Sequence, residues 1–479
     1  MKVKLTAAAA LLSFCLGISE ISWALSLDFG GSVYSVDKSN IPLASAPKAV
    51  PVKSPSVQTV KKWTVMVFMN GKNNLEAAGL YNVNEMEKVG STKDINVVVE
   101  LGRMSGQLEG DTDLEGDWTG SRRFFIEKDS DEQKITSPMV QRTDKVDMGD
   151  YKRAVDFVNW TKKNYPAQKY MLILWDHGSG WLDPRQEAKG ADKGISNDDE
   201  TGNYIRTRQI GQILKESGKV DVLAFDACLM QMSEVAFEVK DKTDVIVGSE
   251  ETVSGLGYPY SSFLDVLAKN PDIDAETFGG ITVEVYKRFY DAMNQSFAAA
   301  GRPATGAHLS AIRSSMLGGL GTRVAEFVEL AKEVNDVDAL NAARFRVIRY
   351  DMIGENEDPR KYISFYGDLH NYVGLVAAAL KDSPKAAALR FKAAELQDFI
   401  DKQLVIHNTT VGRDRLGRDM ADSHGISIYL PPMAMVPQEA LEGIFEGSYA
   451  DFEFDKATKW HDFVTYLYGV KSSIAGAEK

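Results

Sequence analysis

The sequence predicts an α/β fold, a mainly parallel sheet flanked by helices, with a more helical region toward the C-terminus. Two stretches carry most of the prediction. Residues 170–181, YMLILWDHGSGW, and 220–229, VDVLAFDACL, are each an apolar run of strand length that stops at an acid. The second leads into an amphipathic segment (Leu229, Met232, Val235, Ala236, Val239), the pattern of strand, tight turn and helix. A third observation is the repeated alternation of such runs with helical patterns, which in a compact domain means crossover units and parallel strands. His177 and Cys228 follow the two runs, 51 residues apart. That separation suits one crossover plus a loop, so the strands are expected side by side, with both residues at the carboxyl edge where open sheets collect ligands and catalytic groups.

The whole chain bounds the reading. Its 479 residues are 44% hydrophobic and 26% charged, enough for a large α/β domain with an appendage or for two or three domains. A net charge of −13 argues against nucleic acid as a partner, because phosphate binding needs a basic footprint. Lys2 and Lys4, an apolar run over 5–18 and the small residues Ser22 and Ala24 form a secretory signal, residues 1–24, with cleavage expected after Ala24. Export to the periplasm or the medium follows. A lipid anchor at Cys15 is the competing reading, but Phe14 is a poor residue to precede one, so no stable membrane anchor is expected after signal removal. The exported chain then carries one thiol, Cys228, either an apolar filler or a reactive group.

Taken in order, residues 25–60 form a linker or pro-segment punctuated by Pro42, Pro47, Pro51 and Pro55. A core over 61–270 opens with a strand at 63–69, a turn at Asn70, Gly71, Asn73 and Asn74, and a helix at 75–88. A strand at 95–101, an acidic loop at 109–117 and a hairpin through 123–127 and 136–141 come next. The helix 149–165 ends at Pro166. Beyond the His177 strand lie a polar loop with Arg185, Lys189 and Lys193, a helix at 207–217, the Cys228 strand and helix, and a strand at 244–248. The region 271–470 reads as helices near 275–297, 314–334 and 386–404, with strands at 306–312 and 425–430 that either extend the sheet or form a second subdomain; 471–479 is a tail.

A thiol attacks a carbonyl as thiolate and needs a neighbour to take its proton. His177 is suited to that role, and Gly178 lets a substrate approach its backbone N–H. With the N–H of Cys228 it can hold an oxyanion, a contact worth about 3 kcal/mol per donor. Asp176 is expected to diverge from His177, because neighbours in a strand point to opposite faces, whereas Asp226 and Cys228 share a face. Asp226 can therefore present a carboxylate to a cationic side chain, or simply tie a turn.

These stretches, with WTVMVFMNGKNNLE at 63–76 and IVGSEETVSGLGYPY at 246–260, resemble the clostripain family of cysteine peptidases, over most of residues 62–265 and more weakly around GISIYLPP near residue 430. The resemblance implies a caspase-like sheet shared with gingipains, legumains and separases. It implies hydrolysis of protein or peptide substrates after Arg or Lys by a His177/Cys228 dyad, with Asp226 in the pocket for the basic side chain and Glu250 and Glu251 ranked below it. It also implies activation by a cut between the dyad residues, with Lys189 or Lys193 favoured over Arg185. Calcium is a further implied cofactor. Asp111, Asp113, Glu115 and Asp117 alternate as ligands do, but Arg122 stands where an EF-hand carries its closing glutamate; Asp198, Asp199 and Glu200 are a second acidic cluster. No pair among His308, His370, His407, His424 and His461 has metal-ligand spacing, and His424 alone is kept as a substitute base. Two other functions fit the same residues, a non-catalytic binding protein on a peptidase scaffold and a cysteine acyltransferase.

Overall fold

The computed structural model describes residues 60–106, 110–183, 194–302, 306–350, 364–413, 419–431 and 447–469. The signal and Pro-rich segments, Arg185, Lys189 and Lys193 lie outside them. The strands are β1 (Lys61–Gly71), β2 (Ile95–Arg103), β3 (Gly120–Phe125), β4 (Met139–Thr143), β5 (Ala167–Trp175), β6 (Ile195–Asp198), β7 (Asn203–Ile205), β8 (Val220–Asp226), β9 (Thr243–Gly248), β10 (Ala307–Arg313), β11 (Arg349–Tyr350), β12 (Tyr366–Asp368), β13 (Val405–Val411) and β14 (Ser427–Tyr429). Nine of them form one sheet in the order β13-β10-β9-β8-β5-β1-β2-β3-β4. Its centre, from β9 to β2, is parallel, and antiparallel strands close both edges.

The central strands read as near-continuous apolar runs because both of their faces are covered. Alternate residues feed two cores. Met66, Phe68, Leu172, Leu174, Leu223 and Phe225 pack on one side, against the helices Tyr151–Asn164, Thr207–Ser217 and Leu317–Val334. Val65, Val67, Met171, Ile173, Val222 and Ala224 pack on the other, against Glu76–Glu87, Tyr260–Lys269 and Ala275–Ala299. This is the period-2 alternation of a strand turned into a three-layer sandwich.

The strands expected at 306–312 and 425–430 part company. The first is β10 and extends the main sheet; the second contains β14, which joins β11 and β12 in a separate three-stranded sheet. The hairpin expected at 123–127 and 136–141 forms about three residues from its expected place, as β3 and β4. The polar run around Arg122 and Arg123 is strand because Glu100, fully buried on β2, binds Arg123 at 2.7 Å and Ser121 at 2.9 Å. Charge pairing thus makes an interior position of Arg123 and carries the strand back to Gly120. β13, whose sequence VIHNTTV mixes polar and apolar residues, is unexpected; it follows the helix expected at 386–404, which ends as Pro384–Phe399 with a wide π turn, Ile400–Leu404.

The carboxyl end of β1 is anchored by Lys72. Its ammonium is fully buried and lies 2.8 Å from Asp198, 2.6 Å from Glu200 and 2.6 Å from the Val146 carbonyl oxygen. Breaking a buried pair by removing one partner leaves an uncompensated charge. Lys72→Met is therefore expected to lower stability at neutral pH by about 3–5 kcal/mol, read by urea unfolding; an unchanged midpoint would remove Lys72 from this role.

Candidate active site

The site is built on one register. β5 and β8 are adjacent and parallel, with Trp175 paired to Asp226, and the Asp176 N–H donates to the Asp226 carbonyl at 3.3 Å. His177 and Cys228 each stand two residues beyond a member of that pair. Both strands end at that pair, so His177 and Cys228 lie in the turns that leave neighbouring strand ends on the same edge of the sheet. The approach is closest at Gly178, where a Cβ would lie 2.3 Å from the carbonyl oxygen of Cys228 and 3.1 Å from its amide nitrogen. Glycine at 178 is thus a steric requirement of bringing the two strand ends together.

His177 is half-buried, and its Nε2 lies 2.6 Å from Oδ1 of Asn74. An amide oxygen only accepts, so this bond keeps the proton on Nε2 and a lone pair on Nδ1, the tautomer of a base that works through Nδ1. Asp176 does diverge from the ring. Its buried carboxylate accepts instead from the His177 N–H at 2.7 Å and from Asn73 Nδ2 at 2.7 Å, and burial pushes its pKa well above the ordinary carboxylate value. Asn73 also donates to the Asn197 carbonyl at 2.8 Å. The turn after β1 therefore fixes the histidine twice, through Asn74 on the ring and through Asn73 on the acid that holds its backbone. Sequence reading marked Asn73 and Asn74 only as turn residues. The available signal was their place at the end of a parallel strand, on the same sheet edge as His177.

Cys228 is half-buried in the turn after β8. Its Sγ accepts from the Val253 N–H at 3.2 Å and donates to the Val253 carbonyl oxygen at 3.8 Å, so the loop after β9 holds the thiol from both backbone groups of one residue. Leu229 has φ of +65°, an uncommon left-handed conformation for a residue with a side chain, which doubles the chain back before the helix Ser233–Val239. The loop after β9 holds that turn from the side: the Leu229 N–H donates to the Glu251 carbonyl at 3.2 Å and the Gln231 N–H to the Ser249 carbonyl at 2.9 Å.

The acidic candidates occupy different surroundings. Asp226 is 4% exposed and lies under the loop SGLGYPY, with Oδ2 accepting from the Tyr258 N–H at 3.1 Å and the Tyr260 hydroxyl at 2.9 Å. Burial pushes its pKa up to about 7. β8 ends at Asp226, so the strand alternation expected to align it with Cys228 does not reach the cysteine; the turn sets their relation. Glu250 is fully buried and committed to other partners, with Oε2 at 2.9 Å from the Gly425 N–H and 3.0 Å from His308 Nε2. Burial raises Glu250 to about 8 and lowers His308 to about 4, so the two pair as neutral groups at neutral pH. Glu251 is partly exposed and accepts from the Thr252 N–H at 2.7 Å.

Neither acidic cluster is arranged as a cage. Asp198 and Glu200 bind Lys72, Asp199 accepts from Asn197 at 2.8 Å, and Glu115 accepts from the Ile135 N–H at 3.0 Å. His424, kept as a substitute base, lies with His370 and Asp401 instead.

The clostripain family model matches residues 67–467 of the chain. Clostripain of Hathewaya histolytica is 31% identical over 222 residues, 43% of this chain and 42% of that protein. The match thus spans less than half of that relative's length. Among solved structures, a secreted C11 cysteine protease from Bacteroides thetaiotaomicron in complex with an irreversible peptide inhibitor superposes with a TM-score of 0.59 at 20% identity, covering 84% of this chain and 99% of that one. An inactive zymogen C11 protease from Parabacteroides distasonis does so with a TM-score of 0.58 at 18% identity, with the same two coverages. These structures share the fold, a mostly parallel sheet flanked by helices.

Two outcomes check the geometry. Gly178→Ala forces a methyl group against the Cys228 backbone and is expected to cost about 3 kcal/mol of stability; an unaltered unfolding midpoint would mean the strand ends are farther apart. Alkylation of Cys228 by iodoacetamide near pH 6.5 is expected to slow about tenfold in His177→Ala, because the thiolate fraction sets the rate. Equal rates in both proteins would uncouple the imidazole from the thiol.

Proposed function

The chain belongs to the clostripain family of cysteine peptidases, and from that premise we propose that it is an exported endopeptidase that cleaves after Lys or Arg with a His177/Cys228 dyad. The observation that carries the reading is the steric contact of Gly178 with the backbone of Cys228, which joins the histidine and cysteine strand ends in one cleft edge. In the proposed reaction Nδ1 of His177 takes the thiol proton and Cys228 Sγ attacks the scissile carbonyl carbon. The N–H groups of Gly178 and Cys228 bind the oxyanion. The C–N bond breaks as the imidazolium returns its proton to the leaving amine, leaving a thioester. Water, deprotonated by the same imidazole, then attacks the acyl carbon; the C–S bond breaks, the peptide leaves as its carboxylic acid, and the imidazolium returns the proton to Sγ to regenerate the thiol.

Asp226 supplies the negative charge of the specificity pocket in this reading, supported by its position two residues before the cysteine; Glu251 is the more exposed of the two glutamates after β9. An acid with a pKa of about 7 is ionised only above that pH, and a bound cationic side chain favours the ionised form. Activation is assigned to a cut at Lys189 or Lys193, with Arg185 as a further target, between the dyad residues. A chain that cuts after basic residues can process this loop itself.

A panel of fluorogenic peptides differing in the residue before the scissile bond tests the whole reading, with the wild type and Cys228→Ala, in calcium and in chelator. Cleavage after Lys and Arg by the wild type alone is expected, and the mass of the products distinguishes hydrolysis from acyl transfer to an amine. The Cys228→Ala protein is expected to remain a single chain where the wild type shows new ends after Lys189 or Lys193. Retained cleavage in the variant sinks the mechanism, and no cleavage by intact or nicked wild type points to a binding scaffold.

The ratio of kcat/KM for basic over neutral peptides isolates Asp226, because the dyad's own titration cancels in it. That ratio is expected to rise with pH through about 7 and to lose both its size and its slope in Asp226→Asn. An equal loss for basic and neutral substrates would take Asp226 out of the pocket.

A further inference from the structure

Outside the cleft, the fold brings together three side chains that no spacing in the sequence connects. His370 is the second residue of the helix Leu369–Ala379, Asp401 lies in the π turn Ile400–Leu404, and His424 immediately precedes Gly425 and β14. Among the described residues this is the one group of three or more His, Cys, Asp or Glu whose ligand atoms all lie within 4.8 Å of one another. His370 Nε2 is 3.2 Å from one oxygen of Asp401 and His424 Nδ1 is 3.8 Å from the other. The two imidazoles are stacked, with centroids 3.6 Å apart and planes inclined by 23°, so both present their edges to the same carboxylate.

We propose that His370, Asp401 and His424 bind a divalent transition-metal ion, of which zinc is the representative. Two imidazoles and one carboxylate are the donor set of borderline ions, and a tetrahedral ion with bonds of about 2.0–2.1 Å needs its ligand atoms about 3.3 Å apart. The two separations run to different oxygens of Asp401, so binding turns one imidazole out of the stack until both rings point at one ion. The exposure also fits. His370 is 11% exposed while Asp401 and His424 are 50% and 31% exposed, which seats the ion on a buried ligand and leaves its fourth position to water. The Gln397 amide nitrogen donates to the His370 carbonyl oxygen at 3.2 Å and lies 3.4 Å from Nδ1 of the same residue, which holds the start of the helix Leu369–Ala379 in place beside Asp401. The π turn, a rare insertion often found at functional positions, is what carries Asp401 toward the rings.

The ion would join segments that meet at the cleft. The His424 N–H donates to Asp368 at 2.6 Å, and the next residue, Gly425, donates to Glu250 on the loop that binds Cys228 and Leu229. Metal binding is therefore expected to stabilise the C-terminal sheet against the catalytic turn. The assignment itself does not depend on the peptidase reading.

The test uses the full chain carrying Cys228→Ala, which removes the thiol as a competing soft ligand. Titration with cobalt(II) chloride is expected to give one equivalent of a tetrahedral complex with a visible ligand-field band, displaced by zinc chloride, and zinc is expected to raise the midpoint of thermal unfolding. Asp401→Asn and His424→Gln, both at partly exposed positions, are expected to weaken binding at least tenfold and to abolish the zinc-dependent shift while unfolding like the parent protein without metal. Absence of a one-to-one complex in the parent, or undiminished affinity in both variants, overturns the proposal. Should either variant unfold early without metal, His370→Gln and the displacement titration on the remaining variant decide in the same way.

Discussion

The parallel pairing of β5 with β8 is the constraint from which the rest of the site follows. Parallel neighbours run in the same direction, so their carboxyl ends share an edge, and a matched residue pair fixes the relative height of whatever comes next. Trp175 opposite Asp226 brings the two strands to an end at the same edge, where Gly178 meets the backbone of Cys228. A slip of one residue would reverse the face of every side chain on one strand and exchange Leu223 and Phe225 with Val222 and Ala224 between the two cores, mispacking both layers, so the two apolar cores hold the register. The burial energy of the sheet thus holds the two strand ends side by side, and Gly178 is the point where their approach becomes tight enough to exclude a side chain.

Behind this edge the protein keeps several acids out of water. Asp176, Asp226, Glu250 and Asp368 are all raised, first by burial. A carboxyl with a folded pKa above its unfolded one holds a proton that the unfolded chain releases, so stability falls as pH rises between the two values. For Glu250 that window runs from 4.5 to about 8. His308, lowered from 6.5 to about 4, acts in the other direction, adding stability as pH rises through that interval. Above 6.5 the histidine has contributed all it can while the acid continues to lose. The edge is therefore strained by alkaline rather than mildly acid conditions. The cost of burying Asp226 and Glu250 falls on the loops that hold the turn of the cysteine.

The parts of this arrangement that were legible in the sequence are those encoded locally. Apolar runs ending in DHG and DAC announce buried strands with chemistry at their ends, and the alternation with helices announces their parallel order. What escaped has a common physical cause: it depends on partners distant in the chain. Glu250 reads as a loop acid until β10 supplies His308. Arg123 reads as a surface residue until β2 supplies Glu100. Asn74 reads as a turn residue until the end of β5 brings His177 Nε2 to its side-chain oxygen. The grouping of His370, Asp401 and His424 needs a helix start, a π turn and the approach to β14, and no periodicity links the three.

The C-terminal elements are part of the same machine rather than an appendage. Gln231, three residues after the cysteine and 1% exposed, donates its N–H to Ser249, its side-chain amide to Ser310 at 2.9 Å, and accepts from the Ser427 N–H at 3.0 Å. One residue thereby ties the turn after β8 to the loop after β9, to β10 and to β14. Met232 continues the tie by pairing with Ser427 as a short parallel bridge. A buried polar side chain is tolerated only when its partners are supplied, so this turn can settle into its bonded form only once the chain beyond residue 300 has folded onto it. The left-handed Leu229 sits inside that bonded turn, and strain of this kind persists where the surroundings over-determine it. The cysteine is therefore placed by two halves of the chain at once: β8 delivers it to the edge, and the late strands hold the turn that aims it.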